Sequence, residues 1–409
     1  SAACGAPADE SRSQSRLLQG RHTHLSAALS LQGSTPLHMT RGVGQRLYAD
    51  DGRAYVDWVN NVAHVGHGHP RVVRALRDQA VNLNTNTRYL HGLRQAYAAR
   101  LAATLPPSLS VLFLVCTGSE ANELALRLAR THTGARDVVV VDAAYHGHTS
   151  NLIGMSPYKY KSRGGPGPPD WVHEAAMPDP YRGPHRGPHS GPAYAADVAR
   201  LVQKAQRADG IAAFFCESLL GCGGQVVLPE GYLKAAYAAT RAAGGVCVAD
   251  EVQVGFGRVG DAFWGFETQG VVPDIVTMGK PIGNGHPLAA VATTPEIAAS
   301  FANGMEYFNT FGGNPVSCAV GLAVLDVIED EGLQEHARRL GGWLKGALEG
   351  LARKHRAIGD VRGMGLFIGV DLVRDRQTRA PDPGLAATVV KQLREAGVSV
   401  VEVGQYTGA

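Results

Sequence analysis

Short apolar segments that alternate with helical segments limit the fold of this chain more than any other feature of its sequence. The apolar segments span residues 112–116, 138–142, 211–217, 246–250 and 275–278, and helical patterns such as 118–130 and 232–244 lie between them. Strands that alternate with helices are typical of α/β proteins with a parallel sheet. The sequence therefore predicts an α/β fold whose large sheet is mainly parallel.

The two ends of the chain predict a smaller α+β domain. Leucines at 333, 340, 344 and 351 recur at helical spacing, a strand is predicted at 362–372, and a short helix is predicted at 386–396. Near the other end, the Asp-Asp-Gly turn within 46–58 indicates a hairpin that pairs with this region. We therefore predict a large domain at 61–324, a small domain at 36–60 and 325–409, and an N-terminal extension at 1–35 without folded structure.

The overall composition argues against several classes of protein. The net charge of +3 is too small to indicate a nucleic-acid partner. Apolar runs such as 111–116 and 211–216 are far shorter than the roughly 18 residues that span a bilayer. The six cysteines form no Cys-x-x-Cys pair, so reduced thiols are favoured over disulfides and an intracellular or organellar setting follows.

Two of the predicted strands deliver reactive side chains. Asp250 ends the segment VCVAD, and Lys280 follows the segment IVTMG. A lysine that forms a Schiff base with an aldehyde, and an aspartate that keeps a pyridine nitrogen protonated, are what pyridoxal phosphate chemistry requires. The pair predicts pyridoxal phosphate as the cofactor, with Lys280 and Asp250 as catalytic residues.

A strand-to-helix turn is a candidate site for the phosphate of such a cofactor. The sequence VCTGSEANE places Thr117, Gly118 and Ser119 at the start of a helix, where free N–H groups and hydroxyl side chains bind anions. An ordinary capped helix fits the same residues. Thr310, followed by a Gly-Gly turn, is a candidate second hydroxyl donor to the phosphate.

Other strand ends add candidates for the cofactor site. Tyr145 and His146 follow the strand predicted at 138–142, at an edge where a ligand crevice is expected. Tyr145 is suited to stacking on a pyridine ring, and a buried core tyrosine is the ordinary alternative. Glu217 ends the strand predicted at 211–217, and Gln253 lies just behind Asp250. We include these side chains in the predicted cofactor site.

Two further motifs are not taken as sites. Gly255, Gly257 and Gly260 match the dinucleotide fingerprint, but no convincing helix follows them and no acidic residue ends a later strand at the expected offset. His64, His67 and His69 match no common helical pair of metal ligands and have no accompanying cysteine or carboxylate, so histidines of a Gly-rich turn are favoured over a zinc site. No metal is therefore predicted.

As a set, the motifs resemble the class-III, fold-type-I aminotransferases that use pyridoxal phosphate. The resemblance spans residues 36–400 and rests on TGSEANELALRLAR, AYHGH, ADEVQVGFGRVG, TMGKPIGNGHP and YFNTFGGNPVSCAVGLAVL. The segments WVNNVAHVGH, LNTNTRYLH, SPYKY and MPDPYRG are similar to a narrower group, the phospho-lyases that act on ethanolamine phosphate and on 5-phosphohydroxylysine. CGGQ at 222–225 and GMEYFNTFGGNP favour ethanolamine phosphate.

The resemblance implies roles for the predicted residues. Lys280 forms the Schiff base and moves the substrate proton, and Asp250 pairs with the pyridine nitrogen. The implied cofactor contacts are Tyr145 on the ring, Gln253 on the phenolic oxygen, Gly118 and Ser119 on the phosphate, and Thr310 on the phosphate bound by the neighbouring subunit. A homodimer is then the minimal active unit, and dimers of the family often pair into tetramers.

The resemblance also implies a reaction, which is elimination rather than amino transfer. Phosphate leaves the carbon next to the one that carries nitrogen, and ethanolamine phosphate yields acetaldehyde, ammonia and inorganic phosphate. The anionic substrate needs a cationic partner, for which Arg88 and Lys159 are candidates. The resemblance favours a mitochondrial location, with a cytoplasmic one as the alternative.

The end of the chain departs from the family pattern. Related chains usually continue past VSVVEV with a strand and a final helix, often with an arginine for the substrate's anionic group, whereas this sequence ends in GQYTGA. We therefore expect an incomplete small domain. Three alternatives stay open: a 5-phosphohydroxylysine phospho-lyase, an ω-aminotransferase, and an inactive protein that keeps the fold.

Overall fold

Strands that are buried on both faces form the centre of the molecule, as described by a computed structural model for residues 14–31 and 36–403. The strands are β1 (Met39–Val43), β2 (Arg46–Ala49), β3 (Ala54–Asp57), β4 (Val111–Val115), β5 (Asp137–Val141), β6 (Val172–Ala175), β7 (Ile211–Glu217), β8 (Val246–Asp250), β9 (Ile275–Met278), β10 (Ala289–Thr293), β11 (Ile358–Met364), β12 (Phe367–Asp375), β13 (Ala380–Pro381) and β14 (Val398–Ser399).

Helices connect and cover these strands. They are α1 (Gln14–His24), α2 (Pro70–Asn82), α3 (Gly92–Ala102), α4 (Gly118–Thr133), α5 (Ser150–Gly154), α6 (Pro157–Tyr160), α7 (Gly191–Ala208), α8 (Tyr232–Ala242), α9 (Pro295–Phe301), α10 (Pro315–Asp330), α11 (Leu333–Lys354) and α12 (Pro383–Glu395). Within the described residues, no helix is both long enough and apolar enough to cross a bilayer.

The large sheet has the strand order β4-β10-β9-β8-β7-β5-β6. Pairing is parallel from β9 through β8, β7 and β5 to β6, and β10 runs antiparallel to both of its neighbours. The predicted α/β fold with a mainly parallel sheet is therefore confirmed. The five predicted strands are present within one residue of their expected ends, whereas the edge strand β6 and the reversed strand β10 were not predicted.

Successive residues of the central strands face different layers of helices, which explains why these strands are apolar throughout. In β8, Val248 packs in the cluster that contains Leu124 and Leu128 of α4. The next residue, Ala249, packs in the cluster on the other face, which contains Val324 of α10. Helices therefore cover both faces of the sheet, and polar side chains of these strands lie at or near the strand ends.

The two ends of the chain meet in a second sheet with the order β1-β2-β3-β14. The predicted hairpin is confirmed, because β2 pairs antiparallel with β3. Strand β14 pairs parallel with β3 through Val398 and Val56. The proposed domain boundaries at residues 60 and 324 stay a prediction.

The strand predicted at 362–372 is wrong as a single strand, because β11 and β12 form an antiparallel hairpin over this segment. Gly365 lies in the turn with φ of +52°, in the left-handed region that glycine enters without strain. Apolar residues recur at every second position of 364–372, which includes the turn. The apolar pattern therefore did not reveal that the chain reverses direction there.

The predicted N-terminal extension differs from expectation where it is described. Residues Gln14–His24 form the helix α1, whose described side chains are mostly exposed. Residues 1–13, 32–35 and 404–409, which include Cys4 and the GQYTGA end, lie outside the described residues.

Candidate active site

Asp250 lies buried at the carboxyl end of β8 and accepts three hydrogen bonds. Its Oδ2 accepts from Asn122 Nδ2 and from His146 Nδ1, each over 2.8 Å. Its Oδ1 accepts from the backbone N–H of Val252 over 3.1 Å. Hydrogen bonds of this kind stabilise the ionised form of a carboxylate. These three hydrogen bonds therefore fix the position of the Asp250 carboxyl group at the carboxyl end of β8.

Asn122 links this carboxylate to the next strand. Its Oδ1 accepts from Thr277 Oγ1 over 2.7 Å, and its Nδ2 also donates to the His146 carbonyl over 2.8 Å. Sequence analysis missed Asn122 and Thr277 as site residues. The available signal was weak: Asn122 lies one turn into a helix that follows a strand, which is also a common place for a structural amide.

Glu217 lies beside Asp250, because β7 and β8 pair these two residues in register. Its oxygens accept from the N–H groups of Tyr145 over 3.2 Å and Gly221 over 2.9 Å. Burial, followed by the negative charge of Asp250, raises the pKa of Glu217 to about 7. Glu217 therefore takes up a proton near neutral pH, which limits the repulsion between the two carboxyl groups.

Lys280 opens a 3₁₀ turn, Lys280–Gly283, immediately after β9. Its φ of +38° is unusual for a residue with a side chain, and such strain concentrates at functional sites. The preceding Gly279 brings this turn against α4, because a Cβ on Gly279 would lie 3.3 Å from the Gly118 Cα. Lys280 is thereby placed next to the first turn of α4.

The first turn of α4 leaves two backbone donors free. Thr117 Oγ1 accepts from the Glu120 N–H over 3.1 Å, and Glu120 Oε2 accepts from the Thr117 N–H over 3.0 Å. The N–H groups of Gly118 and Ser119 have no acceptor in the described part of the chain. The capping box therefore satisfies two of the four N-terminal donors and leaves the other two for an anion. The Thr117 oxygen serves as the helix cap, and its hydroxyl hydrogen remains available to an acceptor.

The surroundings of these donors suit a phosphate-bearing ring. A Cβ on Gly118 would lie 3.0 Å from Val252, and a Cβ on Gly147 would lie 2.8 Å from Ser119 Oγ, so only glycines fit against the cradle. The cradle, the buried carboxylate of Asp250 and the amine of Lys280 lie on neighbouring strand and helix ends. An anion-binding helix end, a buried carboxylate and a lysine amine are the groups that pyridoxal phosphate requires, so these residues fit this cofactor.

Tyr145 forms one wall of the site with Tyr158 and Lys159. The two tyrosine rings meet edge to face at 6.5 Å. The ammonium of Lys159 lies 5.1 Å from the Tyr158 ring and 6.0 Å from the Tyr145 ring. No carboxylate in the described part of the chain pairs with Lys159, so its charge is available to a ligand.

Cys222 follows Gly221, which packs against Gln253 and donates to Glu217, and it was not predicted as a site residue. Burial and Glu217 raise the pKa of its thiol to about 12, while the positive charges of Lys280 and Lys159 act in the opposite direction. The thiol is therefore neutral at physiological pH, although the charges of both lysines lower its pKa. The only sequence signal was its place in CGGQ, which carries no chemistry by itself.

Gln253 faces the site from the loop behind Asp250. Its Oε1 accepts from Asn61 Nδ2 over 3.0 Å. A Cβ on Gly221 would lie 2.6 Å from Gln253 Nε2, so this side chain packs closely on the segment that carries Cys222. The cofactor contact of Gln253 stays a prediction, and Asn61 is an additional neighbour that was not predicted from the sequence.

Arg88 and Thr310 lie apart from this cluster, on one exposed surface. Arg88 Nη1 pairs with Glu306 over 2.9 Å, and its guanidinium lies 4.2 Å from the Phe308 ring. Thr310 is exposed in the same loop, between α9 and α10. No described contact joins either residue to Asp250 or Lys280, so neither completes the site within its own chain.

The three histidines near residue 64 contact separate acceptors. His64 Nε2 lies 2.7 Å from a backbone carbonyl, His67 Nε2 lies 2.7 Å from Asp57, and His69 Nε2 lies 3.0 Å from Glu331. Each ring therefore has its own hydrogen-bond partner, and the three rings share no common ligand position.

The sheet, the α4 cradle and the Asp250–Lys280 pair define a pyridoxal-phosphate-dependent enzyme of fold type I. More particularly, the chain belongs to the aminotransferase class-III family, whose model matches residues 30–407.

Relatives within the family carry two kinds of name. A Drosophila melanogaster protein named alanine–glyoxylate aminotransferase 2-like is 49% identical over 95% of this chain and 80% of its own length. A Caenorhabditis elegans protein named ethanolamine-phosphate phospho-lyase homolog 1 is 41% identical over 97% of this chain and 88% of its own. A solved phospholyase from Arthrobacter, in complex with phosphoethanolamine, superposes with a TM-score of 0.90 at 39% identity, over 96% of this chain and 92% of its own.

Proposed function

We propose that this enzyme eliminates phosphate from ethanolamine phosphate. With one water, the substrate is converted to acetaldehyde, ammonia and inorganic phosphate, and no amino acceptor is consumed. The observation that carries the proposal is the similarity to the phospholyase solved with phosphoethanolamine. The unpaired ammonium of Lys159 beside Tyr145 supports it, because a phosphate monoester needs a cationic partner.

Each residue of the site then has a defined task. When bound, pyridoxal phosphate stabilises negative charge on the carbon that carries the substrate nitrogen. Asp250 would hold a proton at the pyridine nitrogen, and Lys280 Nζ would hold the cofactor aldehyde and act as the base for the proton on the substrate carbon that carries nitrogen. Gly118 and Ser119 hold the cofactor phosphate through their N–H groups.

The substrate phosphate is assigned first to Lys159. This cation has no competing carboxylate, whereas Arg88 is paired with Glu306 on an exposed surface. Losing a hydrogen bond to a charged group costs about 1.5–3 kcal/mol. Lys159→Met should therefore raise KM for ethanolamine phosphate roughly tenfold or more, and Arg88→Ala serves as the comparison. Unchanged KM values in both variants would remove both residues from substrate recognition.

The deciding experiment measures release of inorganic phosphate from ethanolamine phosphate by the purified enzyme without any keto acid. Lys280→Ala is the control and should release none.

A parallel assay with alanine and glyoxylate tests the second candidate function, amino transfer, which the 49% identical relative favours. Amino transfer without phosphate release would refute the proposal, and 5-phosphohydroxylysine in the same assay tests the other phospho-lyase substrate. Absence of both activities in a cofactor-loaded protein would indicate the inactive alternative.

We propose a homodimer, or a tetramer built from such dimers, in which Thr310 reaches the cofactor phosphate of the neighbouring subunit. Support comes from Thr310 and Arg88 lying outside their own site. Large apolar side chains are exposed on the same surface, among them Leu90, Phe308 and Phe311.

For the compartment, we propose the mitochondrion, following the family resemblance. Fractionation of cells that express the full-length protein would test this, and recovery in the cytosolic fraction would contradict it.

A further inference from the structure

Arg258 places a guanidinium beside the site without a negative partner. Its Nη2 donates to the Asn61 carbonyl over 2.8 Å and to His64 Nδ1 over 3.1 Å. Its Nε is buried and has no acceptor. No carboxylate in the described part of the chain pairs with it, and burial lowers its pKa to about 10. A buried charge that lacks a counter-charge is costly unless a ligand supplies one.

The neighbouring histidine does not supply the missing charge. His64 Nε2 lies 2.7 Å from the Phe256 carbonyl, so this nitrogen carries the proton and Nδ1 accepts from Arg258. Burial, together with Arg258, lowers the pKa of His64 to about 3. The ring is therefore neutral at physiological pH. We call Asn61, His64 and Arg258 the Arg258 cluster.

The cluster borders the site through an unbroken series of contacts. Asn61 donates to Gln253 over 3.0 Å, and Gln253 packs on Gly221. Gly221 in turn donates its N–H to Glu217 over 2.9 Å. The buried cation of Arg258 is thus joined to Glu217 of the site through Asn61, Gln253 and Gly221.

We propose that the Arg258 cluster binds the phosphate group of the substrate, with Arg258 as a second cation in addition to Lys159. This inference rests on the proposed function. A phosphate monoester carries a charge of about −1.5 to −2 near neutral pH, which one lysine only partly offsets. A guanidinium stays charged and presents several donors in a plane that matches phosphate oxygens. An arginine preset by Asn61 and His64 meets that need at small entropic cost.

The test measures binding of inorganic phosphate and of 2-aminoethylphosphonate to the cofactor-loaded enzyme by calorimetry. The cofactor already fills the α4 cradle, so a second anion reports on the substrate side. Arg258→Met should weaken binding of both probes roughly tenfold or more, and Arg258→Lys should weaken it less. The matched control is Arg200→Met on α7, an exposed arginine paired with Asp197, which should leave both affinities unchanged. Wild-type affinities in Arg258→Met, or no binding by the wild type, would overturn the inference.

A second variant covers the case in which Arg258→Met does not fold. His64→Glu keeps the arginine but places a carboxylate beside it, which should compete with phosphate and lower affinity by a similar factor. Unchanged affinity in His64→Glu would overturn the inference. The proposed function is judged separately: if phosphate binding depends on Arg258 but ethanolamine phosphate releases no phosphate, only the proposed function fails. If phosphate is released and neither variant changes affinity or KM, only the present inference fails.

Discussion

Asp250 shows at the scale of a single residue how the site fixes a charge. Its two oxygens accept from Asn122, His146 and Val252, so an asparagine in its place would keep the shape and lose the negative charge. We expect Asp250→Asn to fold normally, to bind the cofactor, and to lose roughly a hundredfold or more in kcat for phosphate release. The control is Asp137→Asn. Asp137 is the first residue of β5, at the amino ends of the parallel strands, and its carboxylate pairs with His173. A wild-type rate in Asp250→Asn would contradict the assigned role.

Glu217 belongs to the same scale and makes stability depend on pH. Its pKa is raised from 4.5 to about 7 in the folded protein, so between these values the folded state binds a proton that the unfolded state has lost. The free energy of unfolding should therefore fall as pH rises from 4.5 to 7, by up to about 1.4 kcal/mol per pH unit, and level off above pH 7.

Substitution isolates this contribution. In Glu217→Gln the slope between pH 5 and 7 should become shallower, although Glu251, whose pKa is also raised to about 7, should keep part of it. Urea unfolding of the cofactor-free protein at several pH values measures the slopes. Identical slopes in both proteins would show that Glu217 does not titrate in this range.

At the scale of elements, α4 combines a stabilising cap with the proposed site for the cofactor phosphate. The Thr117 side chain caps the helix, while the N–H groups of Gly118 and Ser119 stay free. Thr117→Val should lower the free energy of unfolding by about 1 kcal/mol and weaken cofactor retention, because the first turn loses its cap. Thr131→Val, on the exposed face of the same helix, should do neither. Chemical denaturation and cofactor absorbance after dialysis give the two readings, and equal stability of the two variants would argue against the cap.

Helix α11 offers a contrast between two glycines. A Cβ on Gly346 meets no atom within 4 Å, whereas a Cβ on Gly341 would collide with the Gly365 carbonyl in the β11–β12 turn. Gly346→Ala should stabilise the protein by about 0.5–1 kcal/mol, since alanine is the better helix former. Gly341→Ala should destabilise it. Thermal unfolding of both variants tests the packing of α11 on the hairpin, and equal shifts of Tm in the same direction would contradict it.

At the scale of the whole molecule, the proposed sharing of sites between subunits can be tested by mixing inactive variants. Lys280→Ala and Thr310→Ala, refolded together, should form mixed dimers with one intact site each. Recovery of about a quarter of wild-type activity is expected for random pairing of subunits. Lys280→Ala mixed with the Lys280→Ala/Thr310→Ala double variant should recover none. No recovery in the first mixture would show that Thr310 serves no neighbouring site.

Much of the site could be predicted because its residues stand at the ends of strands. Asp250, Glu217 and Lys280 follow apolar segments, so their positions along the chain already place them at one edge of a parallel sheet. Asn122, Asn61, Cys222 and Arg258 could not be predicted in this way. Their roles depend on contacts across the fold, such as the bond between Asn61 and Gln253, which lie 192 residues apart.

The sequence by itself determined the α/β class and the cofactor, and it predicted the paired roles of Asp250 and Lys280. These follow from local periodicity and from side-chain chemistry, both of which are properties of short segments. Only the tertiary structure decided which charges are compensated. Arg88 proved to be paired with Glu306, Lys159 lies free over two tyrosine rings, and Arg258 is enclosed among neutral partners. Charge compensation depends on distance and burial, and these are set only when distant segments of the chain pack together.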